Sequence, residues 1–226
     1  MIYFLDTADA AAIARLCDLY PIAGVTTNPT LIAREKRPFA EIIRDIRSVI
    51  GDGAMLHVQV TGRDADTMVT EAKKLADLVG AGFHPKVPVT AEGIKAIRRL
   101  AGLGFRVTAT AVVAPQQALM AAVAGAAFVA PYVNRLDMIG GDGARVVADI
   151  VHLCRVHDLG TKVLAASFKT VQQVHAVAMA GGQSVTLPPD MLEALIRHPL
   201  TDSGLAGFAA DWAAAYGEDV TTLDLI

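Results

Sequence analysis

The feature that most constrains this chain is a regular alternation of two hydrophobic patterns. Short apolar runs at Ile2–Leu5, Ile22–Thr26, Met55–Val60, Lys86–Val89, Phe105–Thr110, Phe128–Tyr132, Lys162–Ala166 and Ser184–Leu187 read as buried strands, and segments of helical period separate them. From Asp64, a plausible N-cap, residues Ala65, Met68, Val69, Ala72, Leu75, Ala76 and Val79 recur on one helical face. Val146, Val147, Ile150, Val151 and Cys154 form a second stripe, and Gly104, Gly125, Gly160 and Gly182 are placed to end helices before the next strand. Parallel strands need crossover helices, and right-handed crossovers leave two closures for this alternation, an open doubly wound sheet or a (β/α)8 TIM barrel.

Two observations favour the barrel. The 226 residues lie near the lower end of the range of ~200 to 400 that barrels occupy, and no Gly-x-Gly-x-x-Gly follows the first strand. Polar residues also gather at or just after the carboxyl ends of the strands: Asp6, Thr26, Thr27, Asn28, Gln59, Thr110, Tyr132, Asn134, Arg135 and Ser167. In a barrel those ends share one face, where active sites are built. The expected fold is therefore a single α/β domain over residues 1–226, a (β/α)8 TIM barrel with an extra C-terminal helix. That helix is expected over Gly204–Tyr216, amphipathic through Leu205, Phe208, Ala209, Trp212 and Tyr216, and the tail from Glu218 shows no clear element.

Composition removes several function classes. Twenty Lys and Arg against 23 Asp and Glu leave a net charge of −3, without the basic excess of a nucleic-acid footprint. The uncharged stretch from Val107 to Asn134 exceeds the ~20 residues that cross a bilayer. Pro115, Gln116, Gln117, Gly125 and Pro131 break it into strand, helix and strand, so no membrane span is expected. The opening Met1–Asp6 lacks a basic region, a long apolar core and a cleavage site, and the expected location is cytoplasmic. Cys17 and Cys154 sit in apolar helical patterns as small buried side chains, which fits a reducing compartment. The histidines, His57, His84, His152, His157, His175 and His198, lie in separate elements without ligand spacing, so neither metal nor cofactor is implied.

Lys86 stands apart from the other lysines. Lys36 sits in the charged run Arg34-Glu35-Lys36-Arg37, and Lys73 and Lys74 lie on a polar helix face. Lys86 instead occupies the strand His84-Pro85-Lys86-Val87-Pro88-Val89-Thr90, where burial would lower its pKa and leave a neutral amine, a nucleophile toward carbonyls. By position alone it equally fits a strand-end lysine that reaches solvent or pairs with Asp6.

Ala23-Gly24-Val25-Thr26-Thr27-Asn28-Pro29 and Lys86-Val87-Pro88-Val89-Thr90 resemble the two signatures of the transaldolase family. The similarity continues through Leu5-Asp6-Thr7-Ala8, Ala130–Asp137, Ala165–Thr170 and His198–Asp202. The resemblance implies a class I aldolase barrel in which Lys86 forms a Schiff base with a ketose or ketone. Within the family the chain is similar to the fructose-6-phosphate aldolase subgroup, which has a tyrosine like Tyr132 where transaldolases carry phenylalanine, and a glutamine like Gln59 where they often carry glutamate. A phenol relays protons and a phenyl ring does not. The implied activity is cleavage or formation of fructose 6-phosphate from dihydroxyacetone and glyceraldehyde 3-phosphate. A transaldolase passing a dihydroxyacetone unit between sugar phosphates is the alternative, and a non-catalytic sugar-phosphate-binding barrel a distant one.

The resemblance also implies roles. Asp6 assists proton transfers near the lysine, and Gln59, Thr110 and Tyr132 hold the water of imine formation and hydrolysis. Thr26 and Asn28 line the donor end, while Arg135 and Ser167, with Lys169 where transaldolases have arginine, grip a phosphate. The partners implied are a small sugar or sugar phosphate and further copies of the chain, in a homo-oligomer expected to be a pentamer-based decamer with residues 202–226 docking on a neighbour. One departure stands out: Gly80-Ala81-Gly82-Phe83-His84-Pro85 precedes the lysine with one residue more than expected. Proline restrains this segment, so strand four is expected to start late and His84 to lie on a surface loop.

Overall fold

A computed structural model describes all residues from Met1 to Ile226. Eight parallel strands pair in sequence order and close, β1 against β8: Ile2–Asp6 (β1), Ile22–Thr26 (β2), Met55–Gln59 (β3), Phe83–Pro88 (β4), Thr108–Val112 (β5), Phe128–Pro131 (β6), Lys162–Ala165 (β7) and Ser184–Leu187 (β8). The helices are Ala10–Leu19 (α1), Pro29–Arg34 (α2), Phe39–Ile50 (α3), Ala65–Val79 (α4), Ala91–Gly102 (α5), Pro115–Val123 (α6), Val133–Asp137 (α7), Gly143–Val156 (α8), Val171–Met179 (α9), Pro189–Ala194 (α10) and Pro199–Tyr216 (α11). The chain is a (β/α)8 TIM barrel with an extra C-terminal helix, and it divides into two compact units, Met1–Leu192 and Glu193–Ile226.

The barrel's shape follows from the two-residue period of its strands. Outward positions Leu5, Val25, Leu56, Val58, Val87, Ala109, Val129, Val163, Val185 and Leu187 are buried, and the helices bring Ile13, Leu16, Ile42, Ile43, Ile46, Met68, Ile97, Leu100, Val147 and Ile150 to the same core. Inward positions form two layers. Phe4, His57, His84, Thr108, Phe128, Leu164 and Ser184 fill the floor, and two residues further along each strand Asp6, Gln59, Lys86, Thr110, Ala130, Ala166 and Thr186 line an open cavity. On β2 the corresponding pair is Gly24 and Thr26; a Cβ on Gly24 would come within 2.0 Å of the Met55 carbonyl oxygen, so the approach of β3 requires glycine there.

Capping follows the sequence in places. Asp64 accepts from the Thr67 N–H at 2.9 Å, and Asp9, Thr90 and Asp142 cap α1, α5 and α8 in the same manner. Gly104 and Gly125 take positive φ after α5 and α6 as expected. Gly160 and Gly182 do not: the left-handed positions after α8 and α9 are taken by Asp158 and Gly181. Aspartate tolerates that region because its short polar side chain meets the backbone without a branched Cβ.

Three further differences concern the elements. Strand β4 starts early, at Phe83, and contains both Pro85 and Pro88. Pro85 is accommodated because β3 reaches it through the Leu56 N–H to Gly82 carbonyl bond on one side and the Val60 N–H to Lys86 carbonyl bond on the other, which need no N–H from proline. Strand β5 begins at Thr108 rather than Phe105, whose ring packs edge-on against Phe83 at 6.4 Å. In the C-terminal unit, α11 begins at Pro199, and its apolar residues surround it rather than forming a stripe; Leu200, Leu205, Phe208 and Tyr216 are all exposed. Trp212 donates its indole N–H to the Val220 carbonyl at 2.6 Å, and a short 3₁₀ turn at Thr222–Leu225 follows.

Candidate active site

The cavity at the carboxyl ends of the strands has a volume of about 490 Å³, within the range of small-ligand sites. All ten residues singled out in the sequence line it: Asp6, Thr26, Asn28, Gln59, Lys86, Thr110, Tyr132, Arg135, Ser167 and Lys169.

Lys86 points into this cavity from the middle of β4 and is only 6% exposed. Its ammonium donates to the Thr27 carbonyl at 2.7 Å. It does not pair with Asp6, which instead accepts from the Thr26 hydroxyl at 2.7 Å. Burial pushes the lysine pKa down, and the negative charge of Asp6 pulls it part of the way back. The outcome is an amine whose neutral form burial favours, held by one acceptor and open to the cavity.

The other groups are ordered by hydrogen bonds. Thr26 and Thr186 hydroxyls stand 2.7 Å apart, and because the Thr26 proton goes to Asp6, Thr186 is the donor, giving a relay from Thr186 through Thr26 to the carboxylate. Tyr132 directly follows β6 and bridges to Ala166 of the neighbouring segment; its hydroxyl lies 3.5 Å from Thr110 Oγ1, and the Arg135 guanidinium stacks 4.3 Å above its ring. Asn28 caps α2 by accepting from the Leu31 N–H at 3.1 Å, which leaves its amide NH2 for a ligand. Ser167 adopts a left-handed backbone, φ 63°, while the Asn134 N–H donates to its carbonyl at 2.8 Å, so the β7 loop is bent over the β6 loop. Gln173 binds the Asn134 and Asp137 side chains at 3.2 and 2.6 Å. Asn134 is thereby tied to the scaffold and is not among the residues lining the cavity.

Beneath Lys86 and Gln59 the structure holds an arrangement the sequence reading missed. His84 is buried in β4 rather than on a surface loop, and its ring stacks on His57 with centroids 4.5 Å apart and planes 16° from parallel. Phe4 and Phe128 meet the pair edge-on. The His84 Nδ1 faces the Gly82 carbonyl at 2.9 Å, which fixes the proton on that nitrogen, and His57 Nδ1 meets the Thr108 hydroxyl at 2.8 Å. Both Nε2 atoms lack a partner. Burial drives both pKa values down, His57 the more strongly, with His84, Lys86 and Arg106 adding repulsion. The floor beneath the lysine is therefore two neutral imidazoles. Register shows the missing signal: His57 pairs with His84 and Gln59 with Lys86, so one histidine two residues before each of these cavity residues marks adjacent inward positions. No three His, Cys, Asp or Glu side chains converge in a way that would hold a metal ion.

A buried amine flanked by a carboxylate, a phenol, hydroxyls and an amide at a barrel mouth defines a barrel enzyme of the Schiff-base aldolase and transaldolase kind. Residues 3–220 match the family model described as transaldolase/fructose-6-phosphate aldolase, and the chain belongs to that family. Solved structures share the fold at low identity. One described as "Native KDPGal structure" is 19% identical with a TM-score of 0.58, covering 84% of this chain and 82% of its own. Another, described as a cube-shaped, highly porous protein cage designed by fusing symmetric oligomeric domains, is 17% identical with a TM-score of 0.60, covering 95% and 77%.

Proposed function

We propose that this protein is a fructose-6-phosphate aldolase, joining or separating dihydroxyacetone and glyceraldehyde 3-phosphate through Lys86. The neutral amine attacks the ketose C2 carbonyl, the carbinolamine takes up a proton, and water leaves to give an iminium. Asp6 takes the C4 hydroxyl proton as the C3–C4 bond breaks; the bonding electrons pass to the iminium, forming an enamine, and the aldehyde departs. Protonation of the enamine carbon then regenerates the iminium, and a water held by Gln59, Thr110 and Tyr132 hydrolyses it to dihydroxyacetone and free lysine. Arg135, Ser167 and Lys169 hold the phosphate, Arg135 through two parallel charged hydrogen bonds.

The observation that carries the aldolase reading over transaldolase is the Tyr132 hydroxyl beside Thr110. An aldolase must protonate its enamine, whereas a transaldolase must protect it until an aldose arrives, and a phenol in this place supplies the proton. Borohydride reduction with dihydroxyacetone or fructose 6-phosphate, followed by mass mapping, tests the reading. The adduct is expected on Lys86 alone and lost in Lys86→Met; trapping that persists in that variant refutes the mechanism.

A further inference from the structure

Arg135, Ser167 and Lys169 come to the cavity from two separate segments. Arg135 lies in α7, after β6, and the other two lie between β7 and α9. With five residues α7 is too short to be stable alone, and Lys169 is exposed. One side chain joins the two segments. Gln173, half-buried in the first turn of α9, accepts through Oε1 from the backbone N–H groups of Lys169 at 2.8 Å and Thr170 at 3.2 Å. Through Nε2 it donates to Asn134 Oδ1 at 3.2 Å and Asp137 Oδ2 at 2.6 Å, the residues on either side of Arg135. Backbone N–H groups only donate and a carboxylate only accepts, which fixes the orientation of the amide and uses both its hydrogens and both its lone pairs. The partners are anchored in turn. Asp137 Oδ1 accepts from the Gly143 N–H at 2.8 Å, and Phe168, between Ser167 and Lys169, is buried. The Val133 and Asn134 N–H groups also reach the Ala166 and Ser167 carbonyls at 2.9 and 2.8 Å, so Gln173 completes a joint that the backbone begins.

We propose that Gln173 is a specificity-determining positioning residue: it sets the spacing of Arg135 from Ser167 and Lys169, and so the fit of a phosphate group on the aldehyde substrate. The proposal rests on the reading of those three residues as the phosphate grip. Charged hydrogen bonds to a phosphate are strong only when donors from both segments converge on it at the right distance and angle. Loss of the four bonds frees α7 and the β7 segment to move independently. Gln173 is not among the residues lining the cavity, so it acts through the groups it holds and not on the substrate. An aldehyde without phosphate makes no demand on this spacing, because Lys86 and Asp6 stand on the strands themselves.

The test is the ratio of kcat/KM for glyceraldehyde 3-phosphate to that for glyceraldehyde, each condensed with dihydroxyacetone. Gln173→Met removes all four bonds without adding a charge. The ratio is expected to fall about tenfold to a hundredfold, as loss of one charge-assisted phosphate contact implies, through a raised KM for the phosphorylated aldehyde and with kcat retained. Gln173→Glu keeps the acceptor for Lys169 and Thr170, and with it the α9 cap, but sets a carboxylate against Asp137, so the ratio falls here too. Adding Asp137→Asn gives that carboxylate an amide N–H and is expected to restore the ratio. A ratio unchanged in Gln173→Met overturns the proposal, as does an equal fall for both aldehydes, which marks a merely structural role. If Gln173→Met does not fold, the polar variants decide: a ratio unchanged in Gln173→Glu, or not restored by Asp137→Asn, overturns the proposal. A wild type without preference for the phosphorylated aldehyde overturns the phosphate-grip reading, and this proposal with it.

Discussion

Replacing Tyr132 by phenylalanine separates chemistry from structure more cleanly than any other change in the cavity. The phenol's partner is Thr110 at 3.5 Å, the outer limit of a hydrogen bond, so its loss costs at most about 0.5–1.5 kcal/mol of stability. The ring remains, and with it the platform 4.3 Å beneath the Arg135 guanidinium, since phenylalanine also supports a cation–π contact. The proton is what disappears. Loss of one well-placed acid–base group costs ~10²–10⁴-fold in the step it serves, and in the proposed mechanism that step is quenching of the enamine. Release of free dihydroxyacetone from fructose 6-phosphate should therefore fall far more than transfer of the three-carbon unit to erythrose 4-phosphate. The assay follows both products in one reaction, so that the ratio is independent of the amount of folded enzyme. Equal losses in the two outputs would show that Tyr132 is not the proton source. A wild-type enzyme that turns over only when an aldose acceptor is present would make the protein a transaldolase and refute the reasoning from Tyr132 and Gln59.

Two other outcomes are expected. His57 and His84 have folded pKa values below the ordinary value of about 6.5, so the unfolded chain takes up protons first as pH falls; stability is full above that value and lost below it, at up to about 1.4 kcal/mol per pH unit for each histidine. Urea midpoints measured from pH 7.5 to 5.0 should fall in the wild type and fall less in His57→Phe, and a flat wild-type profile would refute the burial argument. We propose that the chain assembles as a ring-based decamer in which this unit docks on a neighbour, so deletion of residues 201–226, which removes most of the exposed α11, should lower the sedimentation mass; an unchanged mass would show that this unit has no part in assembly.

The sequence was legible where one side chain answers to one local rule. Short apolar runs placed most strands within two residues, and Asp64 announced α4 through its cap. The cavity residues were legible because the carboxyl ends of parallel strands converge on one face, whatever the details of packing. What stayed hidden depends on partners distant in sequence. His84 beside Pro85 reads as a loop until β3 is known to lie in register with it, with His57 opposite. Arg34 lines the cavity and yet reads as one member of a solvated charge run, because only the placement of α2 sets it apart from Lys36 and Arg37. The short helices α7 and α10 have too few residues to display a period, and α11 displays none because its apolar residues run all round.

Pro85 and Pro88 stand on either side of Lys86 within a single six-residue strand. Each ring fixes one backbone torsion before folding begins, so the unfolded ensemble of this segment is already narrowed toward extended forms, also for the residues that precede each proline. Less conformational entropy is lost when β4 sets than in an ordinary strand, by about 0.4–1 kcal/mol for each compatible proline. The backbone that carries Lys86 thus owes part of its straightness to covalent rings in its own sequence, and the ladder on either side has correspondingly less to enforce.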